Sequence, residues 1–181
     1  MKENLLNIRK SFSRTAAAAV LLLLAIFTAG PGSVTALAHT KNESIYLIGS
    51  WQKDEAGWRF LRQNSSYAAG QWAEYQDNSY YFMDSGYMAS GWFHIGGHWY
   101  YFNPYEGKEE GTMFRGWIRD PEWDGWFYTN QNGIMVTGWH KIDGCWYYFN
   151  QSSDGVLGQM AENRVIDDAY VDLNGRMNEL R

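Results

Sequence analysis

Tryptophan is the residue through which this chain could do chemistry, and nine of its ten tryptophans fall into a pattern. Trp51, Trp72, Trp92, Trp117 and Trp139 lead, at intervals of 21, 20, 25 and 22 residues. A second tryptophan trails seven residues after Trp51, Trp92 and Trp139, as Trp58, Trp99 and Trp146, and nine residues after Trp117, as Trp126. After Trp72 the trailing position is Ser79. An indole ring has a negative face that attracts cations, worth about 0.5–2 kcal/mol per contact. That is the chemistry of recognition, not of bond breaking. There is no nucleophile elbow, zinc motif, phosphate loop or carboxylate pair in a defined setting. His94 and His98 are four apart, but a strand-turn-strand path puts them on opposite faces, so a shared metal is not expected. Glu109, Glu110, Asp120, Glu122 and Asp124 have the ligand chemistry for calcium, although solvated acidic loops are commoner. No metal and no cofactor are expected.

The elements that must position the tryptophans are β-hairpins. Gly138-Trp139-His140-Lys141-Ile142 and Cys145-Trp146-Tyr147-Tyr148-Phe149 flank Asp143-Gly144, a dipeptide suited to φ > 0 at both centres of a type I′ turn. Gly91 to Phe102 repeats the unit around Gly96-Gly97. A two-residue turn there sets Trp92 opposite Tyr101, Phe93 opposite Tyr100, His94 opposite Trp99 and Ile95 opposite His98. Side chains alternate across a strand. One face then carries Trp92, His94, Trp99 and Tyr101, and in the later unit Trp139, Lys141, Trp146 and Tyr148. The other face carries Phe93, Ile95, His98, Tyr100 and Phe102, and later His140, Ile142, Cys145, Tyr147 and Phe149. The second face reads as core; the first has the tryptophans that could meet a ligand. A lone hairpin is marginal in water and cannot bury two aromatic faces, whereas stacked hairpins can. The fold class expected is all-β, a solenoid of hairpin repeats of about 20 residues.

The remaining organisation follows from composition. Residues 1–38 read as a signal peptide: Lys2, Arg9, Lys10 and Arg14 precede the apolar run 16–29, and Ala36-Leu37-Ala38 is a small-x-small cleavage site. The rival reading is a retained anchor, against which the run is short for a bilayer span. Residues 39–50 form a lead-in with a strand over 44–48, and 51–181 hold about six repeats. The last is degenerate, with Arg164 at the leading position. Removing four basic and one acidic residue from totals of 15 and 20 leaves 11 and 19 beyond residue 38, a net charge of −8. That argues against a nucleic-acid partner, so none is expected, and mildly favours a cationic ligand. Cys145 is the only cysteine, read as a small strand residue opposite Ile142.

The motifs Gly91 to Phe102 and Gly133-Ile134-Met135-Val136-Thr137-Gly138-Trp139, running on to Phe149, resemble the choline-binding, or cell-wall-binding, repeat of Gram-positive surface proteins and their phages. The resemblance spans about residues 51–177. It implies a superhelical stack of hairpins with ligand sites between neighbours, each taking two aromatics from one repeat and one from the next, often with a methionine nearby. Transferred to this chain, it implies three ligand-binding sets: Trp92 and Trp99 with Tyr128; Trp117 and Trp126 with Tyr148; and Trp139 and Trp146 with Tyr170. Trp51 and Trp58 with Tyr81 are disfavoured because Arg59 would repel a cation, and Trp72 with Tyr101 lacks its second tryptophan at Ser79. A quaternary ammonium offers no hydrogen-bond donor, so an aromatic cage is what can hold it. Single sites of this kind suit millimolar to micromolar affinity, roughly −4 to −8 kcal/mol, and several would grip a polymer through avidity.

The resemblance implies a non-catalytic protein that is secreted and retained at the bacterial cell wall, with choline-decorated teichoic acid as its partner. No membrane span is expected after signal cleavage, and no stretch is left over for the lytic enzyme that many relatives carry. Homodimerisation through the last repeats is a family option. Related repeats recognise carbohydrate instead, so glucan or a wall polysaccharide is the first alternative, with His94, Lys141 and Gln159 as donors to sugar hydroxyls. The second alternative is an adhesin that presents the expanded loops 103–111 and 120–124 to a protein.

Overall fold

The computed structural model describes residues 45–152 and 155–178. The segment read as a signal peptide lies outside these residues. The described chain consists of short strands: β1 (Ile45–Tyr46), β2 (Gly49–Asp54), β3 (Gly57–Arg62), β4 (Gln71–Tyr75), β5 (Asn78–Phe82), β6 (Gly91–Ile95), β7 (His98–Phe102), β8 (Gly116–Asp120), β9 (Gly125–Thr129), β10 (Gly138–Ile142), β11 (Cys145–Phe149), β12 (Arg164–Ile166), β13 (Ala169–Val171) and β14 (Met177–Asn178). They pair as six consecutive antiparallel hairpins, β2–β3 to β12–β13, with β1 added parallel to β4 and β14 antiparallel to β13. No helix among the described residues is long and apolar enough to cross a membrane.

The register is the one that the turns demand. Trp92 faces Tyr101, His94 faces Trp99, Trp139 faces Tyr148 and Ile142 faces Cys145. Gly96 and Gly97, at φ 58° and 87°, make the type I′ turn, as do Asp143 and Gly144 at 49° and 85°. The two-residue excess after Trp117 is absorbed locally: Asp120 still pairs with Gly125, and the loop between them has four residues. The lead-in strand is shorter than expected and lies against β4, not at the head of the first hairpin.

Stacking obeys a single rule: the first face of each hairpin packs on the second face of the next. Trp72 and Tyr81 meet Phe93, Ile95, Tyr100 and Phe102 of the following hairpin. Trp92 and Tyr101 meet Ile118 and Phe127. Trp117 and Tyr128 meet Ile142, Tyr147 and Phe149, and Trp139 and Tyr148 meet Ile166 and Val171. The result is a row of small aromatic cores in place of one large one, a solenoid in which each unit is completed by its neighbour.

A methionine spine sews the units together. After each of the second to fifth hairpins the chain returns and donates from a methionine amide to the carbonyl of the preceding hairpin's trailing residue: Met88 to Trp58 (2.8 Å), Met113 to Ser79 (2.7 Å), Met135 to Trp99 (2.8 Å) and Met160 to Trp126 (2.7 Å). The next amide bonds back to its own hairpin, as from Val136 to Tyr128 (3.0 Å). The Gly-x-Met spacing has its reason here. Gly133, at φ 76°, lies on Met113, so that a Cβ would sit 2.4 Å from its Sδ, and Gly158 lies on Met135 in the same way. The methionines that the family resemblance suggested beside ligand sites are thus also packing elements of the stack, with Met88, Met113 and Met160 buried.

Candidate ligand-binding site

The two tryptophans of each repeat have different surroundings. The leading ones are half-buried members of the inter-hairpin cores. Trp117 meets Tyr128 of its own hairpin (ring centroids 5.2 Å) and Tyr147 and Phe149 of the next (4.9 and 5.8 Å). Trp92 meets Tyr101 (4.9 Å) and Phe127 (5.2 Å). The trailing ones stand at the rim: Trp126 keeps 38% and Trp146 41% of its surface exposed, large values for tryptophan. Trp99 and Trp58 are half-buried. Where both rings are in contact they make an open right-angled corner: Trp117 with Trp126 at 6.3 Å and 87°, and Trp51 with Trp58 at 6.2 Å and 86°.

Ser79 separates fold from function at the trailing position. Its carbonyl accepts the Met113 amide as the trailing tryptophan carbonyls accept theirs. The spine therefore asks only for main chain there. Ser79 Oγ instead donates to Glu74 Oε1 (2.8 Å), both residues being buried, and Arg115 reaches Ser79 Oγ at 3.3 Å. This hairpin has exchanged an exposed ring for a polar pair.

The structure distributes the expected residues as follows. Trp117 and Trp126 are together. Trp92 with Trp99, and Trp139 with Trp146, share a face of one hairpin by register. Tyr128 and Tyr148 meet the leading tryptophans of their own hairpins edge to face, Trp117 (5.2 Å) and Trp139 (5.3 Å). Tyr170 hydrogen-bonds through its hydroxyl to Asn163 Oδ1 (2.8 Å). Across the interface, the ring that touches a leading tryptophan belongs to the residue before the expected tyrosine: Phe127 for Trp92 and Tyr147 for Trp117. The period of two along a strand is the reason, because the stack brings opposite faces together.

The structure corrects the reading of the first repeat. Arg59 does not sit over Trp58; it stacks on Tyr67 (4.4 Å) and Tyr87 (5.0 Å) and pairs with Asp54 (2.8 Å). The cation over Trp58 is Lys53, its cross-strand partner, at 5.2 Å. The other trailing tryptophans have equivalent neighbours. His94 lies 5.2 Å from Trp99, Arg119 lies 5.9 Å from Trp126, and Lys141 pairs in register with Trp146.

Two carboxylates hold leading tryptophans across the stack: Asp120, read from the sequence only as a possible calcium ligand, and Asp167, which the sequence did not single out. Trp92 Nε1 donates to Asp120 Oδ2 (2.8 Å) and Trp139 Nε1 to Asp167 Oδ2 (2.9 Å), each 28 residues on. Asp120 Oδ1 also accepts the amides of Glu122 (2.9 Å) and Trp123 (3.0 Å), which shapes the long loop. The common spacing from leading tryptophan to carboxylate was the available signal. Asp120 is buried, so Asp120→Ala strands an indole N–H and two amides. A loss of about 1–3 kcal/mol is expected in urea unfolding; a change below about 0.5 kcal/mol would show the clamp to be idle. Burial raises the Tyr101 hydroxyl pKa to about 12, with the Asp120 carboxylate adding to the shift, so this ring stays neutral in the core. A polar cavity of about 220 Å³ is lined by Asp124, Asn150, Gln159, Glu162 and Arg164, with Met160 and Ala161.

Comparison with known proteins places the repeats. Residues 68–109 and 122–164 match the family model described as the choline-binding repeat. These repeats belong to the choline-binding repeat family. The choline-binding repeats here are 33% identical to choline-binding protein F of Streptococcus pneumoniae in its complex with ipratropium, over 73% of this chain and 39% of that one, with a TM-score of 0.61. They are 29% identical to the modular autolysin LytC of the same organism, over 72% of this chain and 28% of that one (TM-score 0.56). The pneumococcal cell-wall endolysin of phage Cp-1, complexed with choline, is 29% identical over 73% and 37% (TM-score 0.50). The chain thus spans less than two fifths of each of these proteins. No curated protein matches it.

Proposed function

We propose that this chain is a secreted protein without catalysis of its own, held at the bacterial cell wall by repeats that bind the choline groups of teichoic acids. One observation carries the reading: the trailing tryptophan is dispensable to the ladder, as Ser79 demonstrates, yet Trp126 and Trp146 keep large exposed rings. Exposed indoles that recur at one position of the repeat, and that the ladder does not need, are rings free to meet a ligand. In this reading Trp99, Trp126 and Trp146 are the outer walls of the sites and Trp92, Trp117 and Trp139 the inner ones. Across the stack Phe127 and Tyr147 back the inner walls Trp92 and Trp117, while Tyr128 and Tyr148 lie against the leading tryptophans of their own hairpins. A net charge of −8 beyond residue 38 favours a cationic head group in the same sense.

A tryptophan fluorescence titration tests the proposal. Choline and tetramethylammonium should each give a saturable change at millimolar or lower concentration, as expected for a cage of two or three rings. A second reading, wall polysaccharide, is favoured by the amide, carboxylate and guanidinium groups of the polar cavity lined by Asp124, Gln159 and Arg164, which could serve sugar hydroxyls. A response to a glucan oligosaccharide with silence toward both cations would replace the first reading by the second.

A further inference from the structure

Each trailing tryptophan has a basic or imidazole residue directly across its hairpin: Lys53 for Trp58, His94 for Trp99, Arg119 for Trp126 and Lys141 for Trp146. A fixed cation beside the ring is a poor neighbour for a bare quaternary ammonium. In two of the four the cation holds an anion: Lys53 meets Glu106 at 3.1 Å and Arg119 meets Asp124 at 2.5 Å, both carboxylates being largely exposed. Ring, cation and anion thus already stand side by side in the free protein. Among the described residues no carboxylate lies within ion-pairing distance of Lys141, and its ring, Trp146, is the most exposed of the trailing tryptophans that are more than a third exposed.

Resting on the choline reading, we propose that Lys141 is a specificity residue that takes the anionic group of a zwitterionic ligand whose ammonium lies on Trp146, so that this site prefers a phosphocholine ester to free choline. Arg119 serves Trp126 in the same way once it exchanges Asp124 for the ligand's phosphate. The ammonium group is held by the ring face. The phosphate, a few ångströms away on the same ligand, turns the adjacent lysine from a repulsive neighbour into a pairing one. The pairing is solvent-exposed, so it is modest and sensitive to salt.

The test follows the Trp146 indole N–H by NMR of the full-length chain labelled with ¹⁵N-tryptophan, titrated separately with choline, phosphocholine and inorganic phosphate. Wild type should bind phosphocholine roughly two- to five-fold more tightly than choline at low salt, with the preference shrinking at high salt. Lys141→Met should bring the two affinities together, and Lys141→Arg should restore the difference; Lys141 is exposed, so neither change threatens the fold. Equal affinities in wild type, or a preference that survives Lys141→Met, overturn the proposal while leaving choline binding intact. If neither choline nor phosphocholine moves Trp146, the choline reading of this site falls with it.

Discussion

Trp117→Ala is expected to cost about 3–5 kcal/mol of stability, enough to unfold the fourth and fifth hairpins together. Trp117 is wedged among Tyr128, Tyr147 and Phe149, the last fully buried, in the core that joins the two hairpins. Its removal leaves a cavity between units that the short hairpins cannot close by collapse, since each is pinned by the Met135 and Met160 amides. Because a solenoid's units depend on their neighbours, the damage should spread along the array and not stay at one site. Circular dichroism and urea unfolding read the effect. A variant with wild-type stability would show that the leading tryptophan belongs to the ligand site alone.

The opposite result is expected for the trailing positions. Trp99→Ala, Trp126→Ala and Trp146→Ala combined should leave the fold near its original stability, because the spine uses only the carbonyls of Trp99 and Trp126 and the Trp146 ring is exposed. Attachment to choline-bearing walls should nevertheless collapse. Linked weak sites gain about 10²–10⁴ in avidity over a single one, and that is what the triple variant removes. A wall-sedimentation assay beside an unfolding curve separates the two properties. Full attachment by a well-folded triple variant would sink the aromatic-cage reading and turn attention to the expanded loops. An unfolded triple variant would show that these rings are core despite their exposure. The contrast between Trp117 and Trp126, two rings 6.3 Å apart with opposite expected effects, is the sharpest form of the argument.

The local design was legible in the sequence for a physical reason. Gly96-Gly97 and Asp143-Gly144 admit the positive φ of a type I′ turn, and a two-residue turn leaves no freedom in register, so the cross-strand partners of Trp92 and Trp139 could be named in advance. The period of about 20 residues likewise announced a stack. Tertiary structure decided what alternation along a strand and turn chemistry do not contain. It chose which face meets which, so that Phe127 and Tyr147, not Tyr128 and Tyr148, touch the leading tryptophans of the preceding repeats. It recruited Asp120 and Asp167 to indoles 28 residues away. It set Gly133 and Gly158 on the methionines of earlier turns, and it swung Arg59 away from Trp58 onto two tyrosines. Contacts within a hairpin are dictated by alternation along a strand and by turn chemistry. Contacts between hairpins depend on the offset and rotation from one unit to the next, which the methionine spine sets through main-chain hydrogen bonds that any residue could make.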